Sequence, residues 1–294
     1  MSGIHTHGAS IILSAVFGIA HAAAPPAGRP MEGVKVVRDI QYAKGGDRPL
    51  LLDLYLPEKA SGPLPLVIWV HGGAWRAGSR ANPPALFLLR HGYAVASISY
   101  RFSQEAVFPA QIEDCKAAVR FLRSRANQYG LDAERFGAWG ASAGGHLVAL
   151  LGTAGDVKEF DKGDNLEFSS RVQAVCDFFG PTDFLAMGRN DIDHDAPNSP
   201  ESQLIGGPIQ QNRDKCARAN PITYVSPDDP PFLIMHGDKD RLVPINQSEL
   251  LHAALRKAGV DSTFRIVEGK GHGFGGPEIQ QTVLEFFDKH LKKR

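Results

Sequence analysis

The chain has 294 residues and carries 32 Lys and Arg against 32 Asp and Glu, so its formal net charge at pH 7 is zero. With 43% hydrophobic and 22% charged residues, its composition is that of a globular protein with room for one large α/β domain. The balanced charge provides no general attraction to nucleic acid or to an anionic membrane, so we expect neither as a partner.

An apolar run, ASIILSAVFGIA, occupies residues 9–20 and is followed by AHAAAPP. The run has the length of the hydrophobic part of a signal peptide, and the small residues after it fit a cleavage site. We therefore expect a signal peptide over residues 1–24, a flexible lead-in over residues 25–33, and a secreted or periplasmic mature protein with no membrane segment. No Lys or Arg precedes the run, which leaves a disordered or membrane-tethering tail as the alternative.

Strand and helix patterns alternate along the rest of the chain. Residues 34–42 and 50–56 read as strands joined by a Gly-Gly-Asp turn, which predicts a hairpin. Further strands are predicted over residues 66–70, 94–100, 135–139, 172–179, 231–236 and 263–267, and helices over residues 84–91, 110–129, 144–151, 249–258 and 279–291. Residues 34–294 are thus expected to form one α/β domain, with a mostly parallel central sheet, helices on both faces and an N-terminal antiparallel hairpin.

Two polar stretches, residues 155–170 and residues 181–229, interrupt this alternation. The second is long and rich in Asn, Asp, Pro and Gly, with only short helical patterns. Long irregular insertions in a compact domain often form binding loops or lids. We expect residues 181–229 to shape a pocket.

The three cysteines, Cys115, Cys176 and Cys216, are too few for a disulfide framework. At most one pair can form, and the sequence does not indicate whether any two of them do. Cys115 and Cys176 lie in apolar patterns, which predicts small, buried side chains.

The segment FGAWGASAGGHLVALLGT places Gly140, Ser142 and Gly144 between a predicted strand and a predicted helix. Strand, Gly-x-Ser-x-Gly and helix in this order predict a nucleophile elbow, in which a tight turn lifts the serine hydroxyl above the sheet edge. The start of the following helix offers free N–H groups to a developing oxyanion. We therefore interpret Ser142 as a nucleophile, the alternative being an ordinary tight turn.

A serine nucleophile needs a base that is itself oriented by a carboxylate. The segment HGDKDRLVP follows a predicted strand and offers Asp238 and Asp240, of which Asp240 is preferred because it lies further beyond the strand end. His272, in VEGKGHGFGG, follows the next predicted strand, and the glycines around it allow its loop to place it over the serine. The order serine, acid, histidine along the chain is that expected for an α/β fold with a nucleophile elbow.

The glycine-rich segment VHGGAW follows the predicted strand LVIWV and can turn N–H groups toward the serine. We expect the amides of Gly73, Ala74 and Ala143 to form an oxyanion hole, with His71 holding the loop in shape. Trp75 has two interpretations: its ring stacks on a sugar or phenolic group of the substrate, or it packs in the core.

Together these motifs resemble the α/β-hydrolase esterases of the hormone-sensitive-lipase-like branch, in particular the bifunctional feruloyl/acetyl xylan esterase type. The resemblance runs from about residue 34 to the C-terminus and rests on HGGAWRAGS, FPAQIEDCKAAVRFLR, GASAGGHLVALLGT, SQLIGGPIQ, NPITYVS, HGDKDRLVP and GHGFG. It implies that the catalytic triad falls on Ser142, Asp240 and His272. Ala74 departs from the pattern, since many relatives carry a third glycine there; an alanine keeps the backbone donor.

The expected activity is hydrolysis of carboxylic esters through an acyl-enzyme, on acetyl or feruloyl esters of plant polysaccharide. A general small-ester carboxylesterase is one alternative. The HGG-x-W pattern is also similar to that of kynurenine formamidases, which makes an arylformamidase another. A non-catalytic binding module would require a broken triad. No metal or organic cofactor is expected, because no nucleotide-binding fingerprint or Cys/His zinc pattern occurs. The sequence does not indicate an oligomeric state.

Overall fold

The structure is a computed structural model that describes residues 32–188 and 192–292. The predicted signal peptide and nearly all of the lead-in lie outside the described residues. The strands are β1 (Val34–Gly45), β2 (Arg48–Pro57), β3 (Leu64–Val70), β4 (Ala94–Ile98), β5 (Leu131–Ala141), β6 (Ala174–Phe178), β7 (Phe232–Gly237) and β8 (Ser262–Val267).

These strands form one eight-stranded sheet in the order β1-β2-β4-β3-β5-β6-β7-β8. The hairpin β1–β2 and the pair β2–β4 are antiparallel, and every other pair in the sheet is parallel. The predicted sheet, mostly parallel with an N-terminal antiparallel hairpin, is confirmed. Because β3, β5, β7 and β8 run in the same direction, the loops that follow them meet at one edge of the sheet, where open α/β sheets bind their ligands.

The helices are α1 (Ala110–Ser124), α2 (Ala126–Tyr129), α3 (Ala143–Thr153), α4 (Pro200–Ile205), α5 (Arg213–Ala219), α6 (Asn246–Lys257) and α7 (Pro277–Leu291). Short 3-10 helices cover Pro84–His91, Lys158–Phe160, Phe184–Ala186, Ile209–Gln211 and Pro221–Tyr224. The predicted helix over residues 110–129 is divided, because Arg125 leaves helical geometry (φ −105°, ψ 12°). The described residues of the stretch 181–229 hold only short helices, as expected.

Strand β3 shows how the sheet separates two cores. All seven of its residues are buried, because helices cover both faces. Leu66 and Ile68 belong to the core that includes residues of α1, α3 and α6. Val67 and Trp69 point the other way, into the core that includes residues of α7. The continuous apolar run of this strand therefore follows from burial on both faces.

Residues 155–170 contain one short 3-10 helix, Lys158–Phe160, and are held by two buried cations on α1. Lys116 is 0% exposed and Arg120 is 1% exposed. Lys116 Nζ donates to the carbonyl groups of Ala154 and Val157 at 3.0 and 2.8 Å. Both cations also contact the carboxylate of Asp161, at 3.1 and 2.9 Å. This network replaces regular secondary structure in fixing the stretch.

All three cysteines are buried and free, as the apolar patterns around Cys115 and Cys176 predict. Within residues 32–188 and 192–292, no helix is long and apolar enough to cross a bilayer.

Candidate active site

Ser142 occupies a sharp turn between the last residue of β5 and the first residue of α3. Its backbone has φ 57° and ψ −124°, a conformation that is strained for a residue with a side chain. The amide of Ser142 donates to the carbonyl of Phe178 at the end of β6, at 2.9 Å. The turn is therefore tied to the neighbouring strand, and it is the nucleophile elbow that the sequence predicts.

The two glycines of the Gly-x-Ser-x-Gly pattern allow the backbones on either side of this turn to touch. A Cβ atom on Gly140 would lie 2.2 Å from the carbonyl oxygen of Gly144. A Cβ atom on Gly144 would lie 2.0 Å from the carbonyl oxygen of Val70, at the end of β3. Any side chain at either position would force the strand and the helix apart, and the serine would lose its position.

The structure brings the three predicted triad side chains into one hydrogen-bonded chain. His272 Nε2 lies 2.9 Å from Ser142 Oγ, and His272 Nδ1 lies 2.7 Å from Asp240 Oδ2. Asp240 follows β7 and His272 follows β8, and the amide of Lys239 donates to the carbonyl of Lys270 at 2.9 Å, which links the two loops. Asp238, the competing acid, is exposed and takes no part.

The acceptor atoms determine which atoms of this hydrogen-bonded triad carry the protons. An ionised carboxylate only accepts hydrogen bonds, so His272 donates through its Nδ1–H to Asp240. His272 Nε2 is then free to accept the hydroxyl proton of Ser142. This is the arrangement that a general base needs to activate a serine.

Asp240 is held by four donors, and its side chain is 0% exposed. Oδ1 accepts from the amides of Leu242 and Val243 at 2.9 and 3.0 Å. Oδ2 contacts His272 Nδ1 at 2.7 Å and His236 Nε2 at 3.3 Å. Burial raises the pKa of Asp240, but the hydrogen bonds from His236 and His272 outweigh burial and hold the pKa well below its usual range. The carboxylate is therefore ionised at neutral pH.

The loop that follows β3 lies directly against Ser142. A Cβ atom on Gly72 would approach Ser142 Cβ to 3.3 Å. In the part of the chain that the structure describes, the amides of Gly73, Ala74 and Ala143 donate to no other protein group. These three amides are therefore free to donate, as the predicted oxyanion hole requires. Gly73 and Ala74 have positive φ angles of 111° and 55°, which lie in the left-handed region of backbone conformation.

Trp75 does not face the substrate side, and the interpretation of its ring as a stacking surface is wrong. The side chain is 1% exposed, because the loop turns it into the core. Its Nε1–H donates to Nδ1 of His146 at 3.2 Å, and its ring packs on Phe184 with centroids 5.5 Å apart. Nε2 of His146 in turn donates to the carbonyl of Ala219 at 2.7 Å. Trp75 therefore anchors the loop to α3 and to residues 181–229.

His71 holds the same loop from the other side. Its ring is 5% exposed and stacks on Tyr100 with centroids 4.5 Å apart. Burial lowers the pKa of His71, and its Nδ1–H donates to the carbonyl of Gly72 at 2.7 Å. The hydroxyl of Tyr100 donates to the carbonyl of His71 at 2.9 Å. These contacts suit a residue that shapes the loop.

Two residues of the site were not identified from the sequence, Phe179 and His236. The ring of Phe179 packs on that of His272 with centroids 4.7 Å apart, and its backbone has φ 43°. His236 lies in β7 beneath Asp240. Phe179 gives no signal in the sequence, because only tertiary packing brings it to His272. His236 had a signal, since it begins the HGDKD motif that also contains Asp240.

Within the described residues, no group of three or more His, Cys, Asp and Glu side chains is arranged to hold a metal ion. We therefore assign no metal ligand to any residue of the site.

Comparison with curated proteins finds relatives that are named as esterases. The chain is 32% identical over 232 residues to the "Probable carboxylic ester hydrolase LipM" of Mycobacterium tuberculosis, a match that covers 74% of this chain and 53% of the relative. It is 34% identical over 226 residues to "Esterase LipQ" of the same organism, covering 75% of this chain and 53% of that one. The chain spans about half the length of these relatives.

Solved structures resemble the whole described fold. A "truncated form of carbohydrate esterase from gut microbiota" superposes with a TM-score of 0.82 at 35% identity, covering 90% of this chain and 99% of that one. An "acetyl ester-xyloside bifunctional hydrolase" from Caldicellulosiruptor lactoaceticus has a TM-score of 0.68 at 26% identity, covering 83% and 86%. The BD-FAE family model matches residues 52–255. The chain has the α/β-hydrolase fold and belongs to the BD-FAE family.

Proposed function

We propose that the protein is a serine esterase that hydrolyses carboxylic esters in two steps through an acyl-enzyme. The observation that carries the proposal is the hydrogen-bonded chain from Ser142 Oγ through His272 to Asp240, with its distances of 2.9 and 2.7 Å. Neutral serine is a weak nucleophile, and a base in hydrogen-bond contact is what activates it. The esterase names of the relatives and structural neighbours support the same reaction.

In the first step, Ser142 Oγ attacks the ester carbonyl while His272 Nε2 takes its proton. The buried carboxylate of Asp240 stabilises the imidazolium that forms. Negative charge builds on the former carbonyl oxygen, and the amides of Gly73, Ala74 and Ala143 donate to it. Each such donor contributes about 3 kcal/mol to the stability of the transition state. His272 then protonates the leaving alcohol, and the acyl group stays on Ser142.

In the second step, His272 Nε2 removes a proton from water, which attacks the acyl carbonyl; His272 then returns the proton to Ser142 Oγ as that oxygen leaves and the acid is released. Every proton transfer in this scheme passes through Nε2 of His272. The mechanism therefore needs no metal ion or organic cofactor.

We propose acetyl or feruloyl esters of plant polysaccharide as the substrates. The carbohydrate esterase and the acetyl ester-xyloside hydrolase among the structural neighbours support this choice. Residues 181–229 are proposed to form part of the pocket, because they follow β6, whose last residue, Phe178, accepts from the amide of Ser142. A small-ester carboxylesterase is the second candidate, supported by the names of the mycobacterial relatives.

The test measures release of acetate and ferulate from acetylated, feruloylated xylan, with p-nitrophenyl acetate as the small ester and Ser142→Ala as the blank. We expect release from the polymer that disappears in the variant. Hydrolysis of p-nitrophenyl acetate with none of the polymer would replace the polysaccharide substrate by a small ester. Undiminished hydrolysis by Ser142→Ala would overturn the nucleophile itself.

A further inference from the structure

A second histidine contacts the same carboxylate oxygen of Asp240 that His272 contacts. His236 lies in β7 and its side chain is 0% exposed. Its Nε2 is 2.9 Å from the carbonyl oxygen of Val243 and 3.3 Å from Asp240 Oδ2. Its Nδ1 is 2.7 Å from the hydroxyl of Ser248, a residue of α6 that is also 0% exposed.

The neighbours of His236 fix which nitrogen carries the proton. A carbonyl oxygen and an ionised carboxylate only accept hydrogen bonds, so Nε2 carries the proton; it donates to Val243 at 2.9 Å and has Asp240 Oδ2 as a second, longer contact at 3.3 Å. Nδ1 of the neutral ring then accepts the hydroxyl hydrogen of Ser248. Asp240 thus stands between two serine–histidine pairs, Ser142–His272 in the cleft and Ser248–His236 in the core.

We propose that His236, whose Nδ1 is held by Ser248, is a positioning residue for the carboxylate that orients His272. The proposal rests on the triad of the proposed function. The backbone amides of Leu242 and Val243 hold only Oδ1 of Asp240. Oδ2, which accepts from His272, has His236 as its other side-chain donor.

This contact matters because an aspartate carboxylate rotates readily about its terminal bond. A second donor on Oδ2 keeps the lone pair that faces His272 in one direction. The same donor favours the ionised carboxylate, which the imidazolium needs during the reaction. His236 faces one more carboxylate, that of Asp177 on β6, and the ring of Phe179 lies 6.3 Å from its own. The ring is fully buried, and its hydrogen bonds to Val243 and Ser248 fix its orientation.

The test is a double-mutant cycle on kcat and KM for p-nitrophenyl acetate. His236→Leu removes the donor, and in the wild-type background we expect kcat to fall about tenfold, the scale of one hydrogen bond to a charged group, with KM unchanged. In the Asp240→Asn background the same substitution should have no further effect on kcat, because a positioning residue acts only through its partner. His236→Gln offers an amide N–H near the position of Nε2 and should recover most of the loss.

His252→Leu is the matched control. His252 also bonds a serine through Nδ1, Ser262 Oγ at 2.8 Å, but on the outer side of the sheet between α6 and β8. Its loss should leave kcat unchanged. Should His236→Leu fail to fold, Ser248→Ala replaces it in the cycle, since it removes the group that holds Nδ1 of His236.

Three results would overturn the inference: equal losses of kcat in both backgrounds, a rise in KM with kcat unchanged, or a folded His236→Gln as slow as His236→Leu. These are separate from failure of the proposed function. If Asp240→Asn alone retained the wild-type kcat, the triad of the proposed function would be wrong, whatever the result for His236.

Discussion

Replacing Trp75 with phenylalanine removes the hydrogen bond that ties the oxyanion loop to α3. His146 Nδ1, in a ring that is 0% exposed, then loses its donor. An acceptor left unsatisfied in the core costs about 1–3 kcal/mol. The substitution also leaves a cavity, and a control with the same change of side chain is needed to separate the two effects.

Trp139→Phe is that control. Trp139 is 3% exposed, and its Nε1 has no acceptor within the described residues. Both substitutions remove the same atoms, so the cavity costs are similar, and the difference reports the hydrogen bond lost at Trp75 together with the unpaired N–H removed at Trp139. We expect Trp75→Phe to be less stable than Trp139→Phe by about 1–3 kcal/mol. Its Tm should be lower by about 2–4 °C for each kcal/mol.

The activities of the two variants should also differ. A loop that loses its anchor no longer holds the amides of Gly73 and Ala74 in place, and loss of a whole oxyanion donor lowers kcat by about 10²–10³. We expect kcat of Trp75→Phe to fall by about tenfold, within that limit, and kcat of Trp139→Phe to stay near wild type. Urea unfolding and steady-state hydrolysis of p-nitrophenyl acetate measure the two effects. Equal stabilities, or full activity in a destabilised Trp75→Phe, would refute the reasoning.

Two further substitutions test local features of the fold. Ala74→Gly should leave kcat unchanged and raise the free energy of unfolding by up to about 1 kcal/mol. The reason is that φ of 55° strains an alanine, and relief of this strain outweighs the stabilisation of the unfolded state by the added freedom of glycine. A clear loss of kcat or of stability would contradict this. Burial raises the pKa of Asp177 to about 7, although the amide of Gly180 lowers it. An acid with a raised pKa makes the folded state lose stability as pH rises from about 4, its unfolded pKa, to the folded pKa near 7. The advantage of Asp177→Asn over wild type, measured by denaturant unfolding between pH 4 and 8, should therefore grow across that window and then level off. A constant difference would show that Asp177 does not titrate there.

The sequence predicts those parts of the site that depend on local backbone. The elbow at Ser142 follows from small residues between an apolar strand and a helix, and the structure shows the close contacts that make them necessary. The positions of Asp240 and His272 follow from the topology, since each comes just after a parallel strand and the ends of such strands share one edge.

What depends on contacts between distant segments could not be predicted. The sequence left two interpretations of Trp75 open, a stacking surface for the substrate and packing in the core, and only its distant partner His146 decides for the core. Lys116 gave no sign of burial, because the carbonyl groups that receive its ammonium lie in the irregular stretch 155–170 and just before it. In both cases the deciding partner lies far away along the chain.

The nucleophile can be tested directly by covalent labelling with a fluorophosphonate and mass spectrometry of the tryptic peptides. Cleavage after Arg135 and Lys158 gives a peptide, residues 136–158, that contains Ser142 as its one serine. We predict one phosphonyl group on this peptide, and a large loss of labelling in His272→Ala. Labelling of another peptide, or undiminished labelling in Ser142→Ala, would contradict the assignment of Ser142 as the activated nucleophile.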